Sequence, residues 1–222
     1  MSLNVELLNC RRLTTGVLFP ARQFSPGELN RLYATVTDRY PFQTLQHLPD
    51  GIRMANPDND CVVQGGQIPQ PGRIQVNDNN IFHFEPAKER TLDLFDIVCT
   101  HLNIQQFLTF GVKLTAFLPS EGETAAEVLE NSVFAGFRSQ LALLGEGRQG
   151  TGFRVVLRSD GAYDLRIEPF FTDLSQLYVE LDVQYPEPFS GLIPVEERMN
   201  RAYRFLNEDV RELLRQLNQT KG

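Results

Sequence analysis

Apolar and polar positions alternate with a period of two over three stretches late in the chain. In 153–158 the alternation sets Phe153, Val155 and Leu157 against Arg154, Val156 and Arg158. In 163–168 it sets Tyr163, Leu165 and Ile167 against Asp164, Arg166 and Glu168. In 177–185 Val179, Leu181, Val183 and Tyr185 oppose Glu180, Asp182 and Gln184. Successive side chains of a strand point to opposite faces, so the pattern predicts three strands with one buried face and one charged face. Ser159-Asp160-Gly161-Ala162, between the first two, is an Asp-Gly hairpin signal.

Elsewhere the apolar spacing is helical. Leu29, Leu32, Val36 and Tyr40 share one face, as do Leu94, Phe95, Val98 and Leu102 in a helix predicted over 90–102. Ala126, Leu129 and Val133 form a third such face. The last helix carries Met199, Tyr203, Leu206, Val210, Leu213 and Leu217 at 4-3 spacing. That seam predicts packing on the sheet, with a coiled coil to a second copy as the alternative use. Further strands are predicted at 11–19, 42–48, 51–55, 61–63, 73–76, 81–85, 107–117 and 140–144. Turn-rich runs at 56–60 and 65–72 separate them, and Asn77-Asp78-Asn79-Asn80 reads as a hairpin connection.

The first helix has a complete start signal. Ser25 is the N-cap, Pro26 sits at the first helical position, and Glu28 completes a capping box three residues after the cap. The signal recurs. Residues 13–28 and 108–123 share eight identities in sixteen positions at an offset of 95, among them Gly16/Gly111, Ser25/Ser120 and Glu28/Glu123. Average composition gives roughly one match in such a window, so this is an internal repeat. Ser120 and Glu123 are therefore the expected cap and box partner of the second copy, and both glutamates read as capping groups rather than catalysts. Each half, 1–104 and 105–222, reads strand, helix, several antiparallel strands, helix. The prediction is one fused α+β domain with a long antiparallel sheet and helices packed on one face.

This twice-repeated order resembles the duplicated TATA-binding-protein-like fold. That resemblance implies two such units forming one curved sheet with helices on its back; a helix-grip arrangement or another α+β sandwich is the alternative. Tyr40-Pro41, the 76–84 hairpin, the Leu181-Asp182-Val183 strand and the aromatic-bearing last helix also resemble a sporadically distributed family of uncharacterised bacterial proteins. Gly111-Val112-Lys113-Leu114 departs from that family's arginine and tyrosine after the central glycine. The family implies no activity.

Composition narrows the function classes. The net charge is −7 over 222 residues, and nucleic-acid binders usually carry a basic footprint, so nucleic acid is not the expected partner. No apolar run approaches the ~18 residues of a membrane span, and residues 1–12 lack the basic-then-apolar layout of a signal peptide. Cys10, Cys61 and Cys99 are widely spaced and form no CxxC pair, which predicts reduced thiols in a cytoplasmic protein. His47, His83 and His101 lack metal-ligand spacing, and no metal or cofactor is expected. No nucleophile elbow, Walker loop or dinucleotide fingerprint is present. The glycine-rich run 145–150 lacks the Lys-Ser/Thr of a phosphate loop and lies between strands, so it reads as a flexible hairpin.

What remains is the charged face. Lys113, Arg154, Arg158, Arg166, Glu180 and Asp182 are the candidate binding residues, and none is assigned a catalytic role. One reading is a solvated face of cross-strand ion pairs, each worth at most ~1 kcal/mol; another is a recognition surface. The leading expectation is a non-enzymatic binding protein using this face or the loops at 56–72 and 145–150, with a protein partner or a second copy. The alternatives are an enzyme or small-ligand binder with a pocket between helices and sheet, and a nucleic-acid binder through a local basic patch.

Overall fold

The computed structural model describes residues 2–122, 124–145, 147 and 149–219. A short strand β1 (Ser2–Leu3) and one 3₁₀ turn (Val5–Leu7) lead into β2 (Asn9–Phe19), where Leu13, Thr15, Val17 and Phe19 are buried and Thr14, Gly16 and Leu18 are not. Helix α1 (Pro26–Thr37) opens on the expected capping box. The Glu28 N–H donates to Ser25 Oγ at 3.3 Å, and the Ser25 N–H donates to the Glu28 carboxylate at 2.8 Å. Leu29, Leu32 and Val36 form its buried stripe. Four antiparallel strands follow: β3 (Thr44–Leu48), β4 (Gly51–Ala55), β5 (Asn59–Gln64) and β6 (Gly72–Asp78).

The strand expected at 81–85, and the hairpin expected before it, do not form. Strand β6 continues to Asp78, the Ile81 N–H caps the Arg11 carbonyl at 3.0 Å, and helix α2 already begins at Phe84 (Phe84–Leu102). Glu85 and Pro86 explain the early start, since an acidic side chain and a proline both suit a first helical turn. Buried Asp78 is held by Arg90 of α2, which ties the end of β6 to the helix.

The second half contains β7 (Gln106–Phe107), β8 (Thr109–Glu121), α3 (Ala125–Ser132), α4 (Arg138–Ala142), β9 (Phe153–Arg158), β10 (Ala162–Pro169), β11 (Gln176–Tyr185) and β12 (Phe189–Ser190). Two expectations fail here. Ser120 is not a helix cap: it lies in β8, paired with Leu3 of β1, and the capping box of α3 is Thr124 with Glu127. Glu123 lies outside the described residues. The long-range pairing with β1 carries β8 past the point where the repeat places the cap. The segment expected as a strand at 140–144 is instead α4 and the turn after it, built from the good helix formers Gln140, Leu141 and Ala142.

The large sheet runs β3-β4-β5-β6-β2-β8-β11-β10-β9, with every neighbour antiparallel, and β1 pairs with the far end of β8. Strands β12 and β7 form a separate two-stranded ribbon. Reading outward from the β2–β8 seam, one side gives β2, β6, β5, β4 and β3, the other β8, β11, β10 and β9. The second side ends one strand earlier.

The register aligns one apolar row across the sheet: Ile52, Val63, Ile74, Val17, Phe110 and Tyr185 are successive cross-strand partners and all are buried. Helices α1, α2, α3 and α5 (Ile193–Arg204) cover that side. Each fully buried side chain stabilises the layer by roughly 1.5–3 kcal/mol. The chain continues from α5 through a π-helical segment (Phe205–Val210) into α6 (Arg211–Gln219). The i→i+5 bonding of a π turn adds a residue to the register. The buried stripe runs Met199, Ala202, Leu206, Val210 and Leu214: Ala202 stands in place of the expected Tyr203, ahead of the π segment, and Leu214 in place of the expected Leu213, after it. No helix of the described residues is long and apolar enough to cross a membrane.

Candidate functional site

Among the described residues no element covers the side of the sheet away from the helices, and the alternation that fills the core puts polar groups there. The candidate residues lie together on its second half. Lys113 of β8 is opposite Asp182 of β11; Glu180 of β11 is opposite Arg166 of β10; Arg166 is opposite Arg154 of β9. Lys113 Nζ lies 3.3 Å from Asp182 and 3.7 Å from Glu180. Arg166 reaches Glu180 at 3.3 Å and Glu168 at 3.6 Å. Arg154 Nε donates to Asp164 Oδ1 at 2.7 Å while its Nη2 donates to the other oxygen. Arg158, opposite Ala162, is exposed and makes no ion pair among the described residues.

This lattice sets the local electrostatics. Partial burial disfavours the charged form of Lys113, but Glu180 and Asp182 outweigh it and its pKa is raised. The hydrogen bond from Arg154 holds the Asp164 carboxyl below its ordinary value. Burial, and then the hydrogen bond donated to Glu180 at 2.5 Å, push the Tyr178 hydroxyl up. Gln184 Nε2 donates to Asp182 at 2.6 Å. Glu180 and Asp182 are thus both engaged by neighbouring donors.

Two features of this face are absent from the sequence-based candidates. The first is an aromatic cluster: Phe117 packs edge-on against Phe170 (4.9 Å between ring centres) and Tyr178 (5.8 Å), and the Arg166 guanidinium lies 5.3 Å over Tyr178. Phe117 and Tyr178 share the strand phase of Lys113 and Glu180, which is the signal that identifies them. The second is a solvent-open depression of about 280 Å³ at the β2–β8 seam. Gly16 and Gly111 face each other there, flanked in register by Gln75 and Gln184, with Arg73 and Lys113 at its rim. Two glycines in mid-strand, each at the same place in the repeat, mark it.

The span 56–72 is two turns separated by β5: in the first, the Asn56 side-chain oxygen accepts the Asp58 and Asn59 N–H groups, and in the second, between β5 and β6, Ile68 is 90% exposed. In the run 145–150, Glu146 and Arg148 lie outside the described residues. His47 is in β3, His83 precedes α2 and His101 is in its last turn. Among the described residues no three potential metal ligands come together. Between helices and sheet the space is filled: Phe95, Phe110, Leu114, Val195 and Met199 are all inaccessible to solvent. No protein-family model and no curated protein matches the chain.

Proposed function

We propose that the chain is a non-enzymatic binding module that holds a partner protein against the open face of its sheet, over Lys113, Arg154, Arg158, Arg166, Glu180 and Asp182. The observation that carries this reading is the uncovered face itself, where charged and aromatic groups from four adjacent strands meet solvent while helices pack on the other face. The ion pairs on it are too exposed to hold the fold together, since such pairs are worth about 0–1 kcal/mol. A patterned charge surface serves instead to select a complementary partner and speed its approach. In the same reading the halves 1–104 and 105–222 are two copies of a TATA-binding-protein-like unit. The strand order mirrored about β2 and β8, and the pairing of Gly16 with Gly111, support that reading. Duplex DNA is not the partner, because on β8 to β9 the four bases Lys113, Arg154, Arg158 and Arg166 are equalled in number by the four acids Asp164, Glu168, Glu180 and Asp182, so the face carries no net positive charge.

The test is copurification from the native host followed by mass spectrometry of proteins, nucleic acids and small molecules. Wild type is compared with a folded Lys113→Glu/Arg166→Glu variant. The reading requires a protein that follows the wild type and falls about tenfold with the variant, a loss of about 1.4 kcal/mol. A partner retained equally by both contradicts it. A second reading, a small-ligand binder, is favoured by the seam depression alone; a small molecule copurifying in place of a protein, and lost on Gln184→Ala, supports it.

A further inference from the structure

Among the described residues strand β9 is an edge of the sheet. Its one strand partner there is β10, whereas β4, which stands equally far from the seam on the other side, has β3 on its outer flank. Val156 and Leu157 of β9 are 59% and 42% exposed. Leu143 and Leu144, in the segment that forms no strand there, are 84% and 77% exposed. An edge of this kind offers a row of unpaired backbone N–H and C=O groups together with apolar side chains, the combination that accepts an added strand.

Charge states what kind of strand. On the open face each strand answers its neighbour: Lys113 answers Glu180 and Asp182, Arg166 answers Glu180, and Asp164 answers Arg154. Among the described residues Arg158 is unanswered, and both charged side chains of β9 are arginines. A second copy does not supply the answer. Antiparallel pairing of two β9 strands about Val156 sets Arg154 against Arg158 of the other copy, and like charges directly opposite are destabilising. Pairing about Val155 leaves Arg158 opposite a glycine, Gly152. The arginines thus discourage self-pairing and favour an acidic strand, attraction and exclusion in one device.

We propose that β9 is a strand-addition site for an extended segment of a partner protein, with acidic residues on the open-face side and apolar residues on the other. This rests on the reading of the chain as a protein-binding module but uses the edge of the sheet, not its face. The bond donors and acceptors are the outward backbone groups of Phe153–Arg158; Arg154 and Arg158 select the acidic side chains, and Leu157 packs against the apolar ones.

The test uses the full chain, isotope-labelled for amide NMR, and a capped peptide of alternating Glu and Val. Its controls are the same peptide with Lys for Glu, and two versions N-methylated at alternate residues in opposite phases. The expected result is shifts confined to β9 and its flanking residues with the Glu peptide, and binding at least about fivefold weaker with the Lys peptide. Only one of the two methylated phases should bind, because a strand presents alternate N–H groups to its neighbour. An Arg154→Glu/Arg158→Glu variant should prefer the Lys peptide. Equal binding of both methylated phases, or dimerisation of the free chain through β9, overturns the proposal. Shifts around Lys113 and Asp182 with none in β9 overturn it too, and leave the reading of the open face standing.

Discussion

Gly16 and Gly111 are directly opposite each other in the antiparallel pair of β2 and β8, and each holds the same place in its own copy of the sequence repeat. The local twofold relating the two strands therefore passes between them. Neither glycine has a positive φ. A Cβ at Gly16 would meet nothing closer than the Ile74 carbonyl oxygen at 3.5 Å, whereas one at Gly51 would lie 2.0 Å from the Val63 carbonyl oxygen. Gly16→Ala is thus expected to leave stability unchanged to within about 0.5 kcal/mol. Gly51→Ala forces β4 away from β5 and should cost about 1–3 kcal/mol or more. Urea denaturation of the two variants measures the contrast.

Leu206 lies in the π segment and is 2% exposed. Truncation to alanine should cost about 2–5 kcal/mol, and Leu206→Glu should abolish the folded monomer, because an unpaired charge would be buried against the sheet. Circular dichroism and size-exclusion chromatography check this. A folded Leu206→Glu monomer derived from a wild-type dimer would instead make this helix face an interface.

The acid limb of stability follows from the two capping boxes. Hydrogen bonds from Ser25 hold the Glu28 carboxyl below its ordinary value of 4.5, and those from Thr124 do the same for Glu127. A carboxyl with a lowered folded-state pKa contributes stability that is fully present above the ordinary value and is lost as pH falls through the folded one. Glu28→Ala and Glu127→Ala should therefore be less stable than wild type near neutrality. The gap should close as the pH falls below 4.5, measured as the urea midpoint across an acid titration.

How far the sequence could be read depended on the range of the interactions involved. The Ser25–Glu28 box was legible because cap and box partner are three residues apart and need nothing else. Ser120 was not, because its role is set by pairing with Leu3, more than a hundred residues away. The face carrying Lys113, Arg166, Glu180 and Asp182 was legible from period-two alternation, since one buried face fixes the other. The alternation could not say that β2 and β8 are neighbours, so the seam depression with Gln75 and Gln184 was hidden. The strand predicted at 140–144 misled because Leu141, Leu143 and Leu144 fit either period. The π segment leaves no local trace; only the packing of Leu206, Val210 and Leu214 reveals it.

Cys10, Cys61 and Cys99 are buried and unbridged, and burial pushes their thiols up to about 12. The thiolate is the reactive species. All three should resist an aromatic disulfide reagent in the native state and react together when urea unfolds the chain. A thiol that reacts fast in the native protein would show its surroundings to be more open than the packing described.

Side-chain footprinting shows whether a partner protein covers the open sheet face. Lys113 is 39% exposed in the free chain and ringed by Glu180 and Asp182, so a bound partner must cover it. Acetylation of Lys113, and carboxyl labelling of Glu180 and Asp182, should fall several-fold in the copurified complex relative to the free protein. Labelling at the free-chain rate at all three positions, with the partner bound, contradicts the claim.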